Sequence, residues 1–245
     1  MTASVPTIVA SSIGFRTREP GGPWDWDIDP IHRYAAQLAN AGSAPKLCFL
    51  NTAFGDRAEG IAAIHGAFGP TEFRVSHLAL FPMPNIADIR AHLLAQDVIW
   101  VMGGSVVNLL AVWRAHGLDE ILHEAWQAGV VLGGVSAGSI CWHAGGTTDS
   151  FGQSLQAVTN GLGWLPYSNG VHHDSEAQRR PLFRSLIGDG ILPQGFATDD
   201  GAALIYHGTE LAEAVATRPD AGAYEVRQSA LGLATEHPLE VRLLG

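Results

Sequence analysis

The run Val130 to Trp142, VVLGGVSAGSICW, constrains this chain more than any other. An apolar stretch of strand type ends in Gly134-Val135-Ser136-Ala137-Gly138, and a helix-compatible stretch follows at once. That is the G-x-S-x-G pattern in the strand–turn–helix setting of a nucleophile elbow. The pattern alone is weakly specific; its place at the end of a buried strand gives it weight. A tight turn there would hold Ser136 in a strained backbone conformation with its hydroxyl exposed. Side chains at 134 or 138 would collide with the neighbouring strand or helix. The amide of Ala137, at the start of the helix, could donate to a developing oxyanion.

A second run has the same design. Val98 to Leu110, VIWVMGGSVVNLL, ends an apolar strand in Gly103-Gly104 before an apolar helix. Backbone amides in such a turn can form an anion-binding nest. The run lacks a full G-x-G-x-x-G, so a dinucleotide site is not expected.

Around these two runs, strand and helix patterns alternate. Strands are predicted over Thr7 to Ala10, Lys46 to Asn51, Phe73 to Leu80, Val98 to Met102 and Val130 to Val135. Several are apolar on both faces, as a covered parallel sheet requires. Helices are predicted over Ile31 to Leu38, Glu59 to Phe68, Ile86 to Leu94, Val107 to Arg114 and Leu118 to Ala128. The order predicts an α/β fold with a doubly wound, mostly parallel sheet. Gly145 to Asn169 reads as loops with short strands, and Ser175 to Leu186 as a helix. Gly195 to Tyr206 reads as strand–turn–strand, with Asp199-Asp200-Gly201 as a hairpin turn. Ala223 to Arg227 and Leu239 to Leu244 read as late antiparallel strands at a sheet edge. The chain, 1–245, is expected to form one domain without linker or repeat.

Composition narrows the partners. Fourteen basic against twenty-four acidic residues give a net charge of −10, which argues against nucleic-acid and anionic-membrane surfaces. Cys48 and Cys141 stand outside any metal spacing and read as buried free thiols. A reducing, cytoplasmic setting is expected, since neither a signal peptide nor a transmembrane run is visible. The alternation Asp25, Asp27, Asp29 reads as an acidic loop rather than a cation site, and no metal or organic cofactor is expected.

A serine nucleophile needs a base and an orienting acid. Eleven histidines are available. His32, His65, His92, His116 and His123 fall on predicted helices and are expected at the surface. His143 would be carried away from Ser136 along its helix. His172 and His173, in the loop NGVHHDSE downstream of the elbow, are the candidates. Asp199 and Asp200 are the candidate acids. The order Ser, His, acid departs from the Ser, acid, His order of α/β-hydrolases.

Together GGVSAGSICW, MGGSVVNLL, TDSFG, LGWLP, VHHDSEAQRR and ATDDGAAL resemble, in this order, the peptidase E-like serine peptidases. That family includes aspartyl dipeptidase and, more distantly, cyanophycinase. The resemblance runs from about Ile8 to Tyr206. It implies a class I glutamine-amidotransferase-like (flavodoxin-like) sheet with serine in place of the usual cysteine. It further implies Ser136 as nucleophile, His172 as base and Asp200 as acid, with Asp199 the rival. Gly104 and Ala137 would form the oxyanion hole, with Gly103 the rival to Gly104. Val171 and His173 replace the family's usual neighbours of the base, and Met102 replaces the first of three glycines. Aspartyl dipeptidases place an arginine after the histidine to pair the substrate's aspartate; Arg179 and Arg180 lie in that region. Asp149 could bind a substrate ammonium.

The implied activity is a serine exopeptidase of dipeptidase type acting on small peptides through an acyl-enzyme. Alternatives are an esterase or amidase on the same site, or a non-catalytic small-molecule binding module on this fold. A homodimer is left open.

Overall fold

The structure is a computed structural model and describes residues 2–18, 20–22, 24–229 and 232–245. Its main sheet has eight strands in the order Val241–Leu243, Glu210–Ala216, Ala202–His207, Thr7–Ser11, Val131–Val135, Val98–Val101, Lys46–Leu50, Arg74–Leu78. The last five are mutually parallel. Ala202–His207 pairs antiparallel with Thr7–Ser11.

The predicted double winding is present. Val9, Leu47, Phe49, Val98, Trp100 and Val131 face one side, packed against Ile31, Ala35, Ile64 and Phe68 of the helices Pro30–Leu38 and Ala58–Phe68. Ile8, Ala10, Leu50, Ile99, Val101 and Leu132 face the other, packed against Leu93, Leu109, Trp113, Leu122 and Trp126. These belong to the helices Ile89–Leu94, Val106–His116 and Leu118–Gln127. A strand buried on both faces needs apolar residues at every position, hence the unbroken runs in the sequence.

The segment expected to be mainly loop builds a second sheet. Its order is Ala234–Pro238, Ala223–Gln228, Gly195–Thr198, Leu165–Gly170, His143–Thr148, Gln156–Val158. Leu165–Gly170 runs parallel to both neighbours. The helix Arg179–Gly188 covers one face through Phe183, Leu186 and Ile187. Trp142, Leu165 and Phe196 join the other face to the core of the main sheet.

Three expectations are corrected here. Gly195–Thr198 and Ala202–His207 are not a hairpin: each pairs within a different sheet, and Asp199-Asp200-Gly201 is the crossing between them. Ala223–Gln228 lies inside the second sheet, not at an edge. Val241–Leu243 does form an edge of the main sheet, but it runs parallel to Glu210–Ala216. Alternation of side chains reports that a segment is extended, and says nothing of which sheet it joins or in which direction.

No helix among the described residues is long and apolar enough to cross a membrane. Both cysteines are buried and unpaired.

Candidate active site

The strand Thr7–Ser11 and its parallel neighbour Val131–Val135 send their chains to opposite faces of the sheet. The first leads to Pro30–Leu38, the second to Ala137–Ile140. A crevice opens beyond the carboxyl ends of strands at such a point. Ser136 stands there.

Ser136 has φ 57° and ψ −112°, a sparsely populated region for a residue with a side chain. Its N–H donates to Ser11 O at 3.0 Å, and its carbonyl accepts from Ser139 and Ile140. The glycines around it are required by close approach. A Cβ at 134 would lie 2.4 Å from Gly138 O, and one at 138 would lie 2.2 Å from Val101 O. The elbow is thus wedged between two strands and its own short helix.

The glycine pair after Val98–Val101 flanks the serine. A Cβ on Gly103 would come within 3.3 Å of Ser136 Cβ. Gly104, at φ 131°, presses on Ala53, whose carbonyl would lie 2.3 Å from a Cβ there. The N–H groups of Gly103, Gly104 and Ala137 donate to no other backbone group among the described residues.

The second sheet brings the candidate base and acid together. His172 lies two residues past Leu165–Gly170, and Asp200 two past Gly195–Thr198; these strands are parallel neighbours, with Gly170 opposite Ala197. His172 Nδ1 is 2.5 Å from Asp200 Oδ1. His172, at φ 54°, is held by its N–H donating to Ser12 Oγ at 3.1 Å. Asp200 N–H donates to Asp174 Oδ1 at 2.8 Å. The bond from His172 holds the Asp200 carboxyl below the usual range against the opposing effect of burial, with help from Ser175.

The rival doublet partners are sorted by the same register. His173 N–H donates to Thr198 O, and its ring turns into the interior, where Nε2 pairs with Glu236 at 2.9 Å. Burial lowers its pKa. Asp199 Oδ2 accepts from Gly222 N–H and the Tyr224 hydroxyl, and burial raises its pKa. His172 and Asp200 thus line the cleft, while His173 bonds to Glu236 and Asp199 to Gly222 and Tyr224.

Ser12 is the residue that sequence reading missed. Besides accepting from His172, its backbone N–H donates to Ala202 O and its carbonyl accepts from Gly201. Ser11 and Ser12 therefore tie the turns of all three candidate residues to one strand end. Two polar residues closing an apolar strand were the available signal.

Several expected residues lie elsewhere. Arg179 is buried and committed to Glu176 and to Thr147 O. Arg180 pairs with Glu236 and lies over the Tyr224 ring. Neither lines the cleft that contains His172 and Asp200. Asp149 is exposed at the turn after His143–Thr148. His32, expected at the surface, is fully buried among Phe15, Phe68 and Trp100. His143 is not on the elbow helix, which ends at Ile140; it begins a strand and is buried. Asp27 and Asp29 pair with Arg18 and Arg16. No cluster of three or more potential metal ligands occurs among the described residues.

The sequence model of peptidase family S51 matches residues 27–214. The chain belongs to peptidase family S51. Family S51 membership makes it a serine-type peptidase. It is 43% identical over 201 residues to the uncharacterized peptidase YgaJ of Bacillus subtilis (strain 168), a match covering 82% of this chain and 86% of that one. Two solved structures share the fold at 15% identity. One is a peptidase from an acI-B1 actinobacterium, with a TM-score of 0.65 over 97% of this chain and 95% of that one. The other is a putative peptidase E protein of Listeria monocytogenes EGD-e, with a TM-score of 0.60 over 85% and 97%.

Proposed function

We propose that this S51 peptidase is an exopeptidase of dipeptidase type that works through an acyl-enzyme on Ser136. The reading is carried by one observation: the His172–Asp200 bond forms at the crevice where the strained Ser136 turn stands.

His172 Nε2 takes the proton of Ser136 Oγ as the oxygen attacks the peptide carbonyl. Asp200 holds the ring through Nδ1 and stabilises its charged form. The N–H groups of Gly104 and Ala137 receive the oxyanion; both, like that of the rival Gly103, are without a backbone partner among the described residues. The tetrahedral intermediate collapses, and His172 gives its proton to the departing amine. Water, deprotonated by His172, then releases the acyl group and frees Ser136.

A small substrate suits the space. The cleft beside His172 and Asp200 measures about 470 Å³ and is lined by Ser12, Phe15, Val135 and Gly201 among others. Volumes of this size hold ligands of one or a few residues.

The test is kcat/KM on a panel of dipeptides, longer peptides and matched esters, with Ser136→Ala as control. Dipeptides are expected to be cleaved best, and Ser136→Ala to abolish the activity. Preference for long peptides or for esters would overturn the dipeptidase reading.

A further inference from the structure

We infer that Arg16 and Arg218 form the carboxylate-binding pair of this cleft, reading a carboxylate of the substrate in the place expected of Arg179 and Arg180. The inference rests on the proposed function for its meaning to catalysis, but the binding site itself does not require catalysis.

Both arginines line the cleft that holds His172 and Asp200. Each is mounted so that donors remain free. Arg16 gives only Nε to Asp29 Oδ2, at 2.9 Å, and its side chain stays about half exposed at 54%. Asp29 is a rigid mount: its other oxygen accepts from Ile31 N–H and caps the helix Pro30–Leu38. Arg16 therefore keeps both terminal nitrogens, the pair of donors suited to a carboxylate.

Arg218 is placed by packing rather than by a tight ion pair. Its stem lies over Gly201, where a Cβ would meet Arg218 Cγ at 3.1 Å and Cδ at 3.2 Å. Its contacts with Asp174 and Asp220 are long, at 3.5 and 3.6 Å, and its side chain is 48% exposed. A guanidinium so loosely paired has donors to give.

The acids that share the cleft are already engaged. Asp200 bonds His172, and Asp29 bonds Arg16 and the helix start. On a chain of net charge −10, two half-exposed arginines balance the two aspartates of this cleft and leave guanidinium donors facing it. Arg179 and Arg180 lack free geometry of this kind, being committed to Glu176, Thr147 O and Glu236.

A carboxylate could come from an acidic side chain or from the carboxyl end of a short peptide. Both present the same planar pair of oxygens.

The test titrates folded Ser136→Ala protein with three small probes. N-acetylaspartate diamide analogues are avoided; the probes are N-acetylaspartic acid α-amide (side-chain carboxylate only), N-acetylglycine (terminal carboxylate only) and N-acetylglycinamide (neutral). At least one anionic probe is expected to bind tenfold or more tightly than the neutral one, and which one does names the source. Arg16→Gln and Arg218→Gln are each expected to bring that ratio toward one. Equal binding of all three probes overturns the inference without any substitution. So does an unchanged ratio in both variants. On active enzyme, the kcat/KM ratio of a carboxylate-bearing dipeptide to its uncharged amide counterpart should fall in both variants, chiefly through KM. A protein that binds the anionic probe but hydrolyses nothing would overturn the proposed function and leave this site standing.

Discussion

Ser12 Oγ accepts the backbone N–H of His172 at 3.1 Å, across 160 positions of sequence. The bond joins the main sheet, which carries Ser136, to the second sheet, which carries His172 and Asp200. The hydroxyl also lies 2.7 Å from Thr198 Oγ1, so it is engaged on both sides. The placement of His172 relative to Ser136 thus depends on a residue outside the candidate triad.

Ser12→Ala removes that tie. A buried hydrogen bond of this kind contributes about 1 kcal/mol, so stability should fall only modestly. The loop holding His172 at φ 54° loses an anchor, and a small misplacement of a base is costly. The expected result is a kcat about tenfold or more lower, with KM little changed and the melting temperature only slightly reduced. A large loss of stability with unchanged kcat would contradict this role.

The two His-Asp doublets separate under substitution. His172→Ala should reduce kcat/KM by roughly 10³-fold or more while the protein stays folded. His173→Ala should act on stability, because it strips the buried Glu236 carboxylate of a partner, at about 1–3 kcal/mol. Its effect on kcat should be far smaller. Steady-state kinetics and denaturant melts on both variants decide this, and the reverse pattern would reject the assignment.

This pair of doublets also marks how far the sequence could be read. The elbow was legible because everything that makes it is local: an apolar strand, two glycines and a helix start within nine positions. The choice between neighbours in His172-His173 and Asp199-Asp200 was not local. It depends on Leu165–Gly170 and Gly195–Thr198 lying side by side in parallel, which no spacing announces. The same gap turned Asp199-Asp200-Gly201 into an expected hairpin, since a turn signal does not say that its two strands enter different sheets. His32 was misplaced for another reason. A histidine on an amphipathic helix reads as polar, yet here its Nδ1 completes the helix cap at Asp29 and its ring fills an aromatic pocket.

Acid should weaken the fold through two buried histidines. Burial pushes His32 and His143 down to about 4 from an ordinary 6.5. The folded protein keeps both rings neutral until about pH 4, whereas the unfolded chain protonates them near 6.5. The unfolded state binds more protons between these limits, so stability falls as pH drops from about 6.5 to about 4. Each ring accounts for roughly 3 kcal/mol over that window. Below it Asp200 takes over: its depressed carboxyl stabilises the fold above its unfolded value near 3.8, and that contribution is lost as pH falls through the folded pKa. Urea midpoints between pH 7 and 3 check the curve. His143→Leu should flatten the upper part by about one proton, and an unchanged slope would count against the burial argument.

The central claim is that Ser136 is a nucleophile activated by His172. The most direct measurement is covalent labelling of the folded protein with a fluorophosphonate, read by intact mass and by the labelled peptide. One label on Ser136, absent in Ser136→Ala and much slowed in His172→Ala, is the predicted result. Folded protein that takes no label across pH 6 to 9 at ordinary reagent concentrations, or takes it at another residue, would contradict the account.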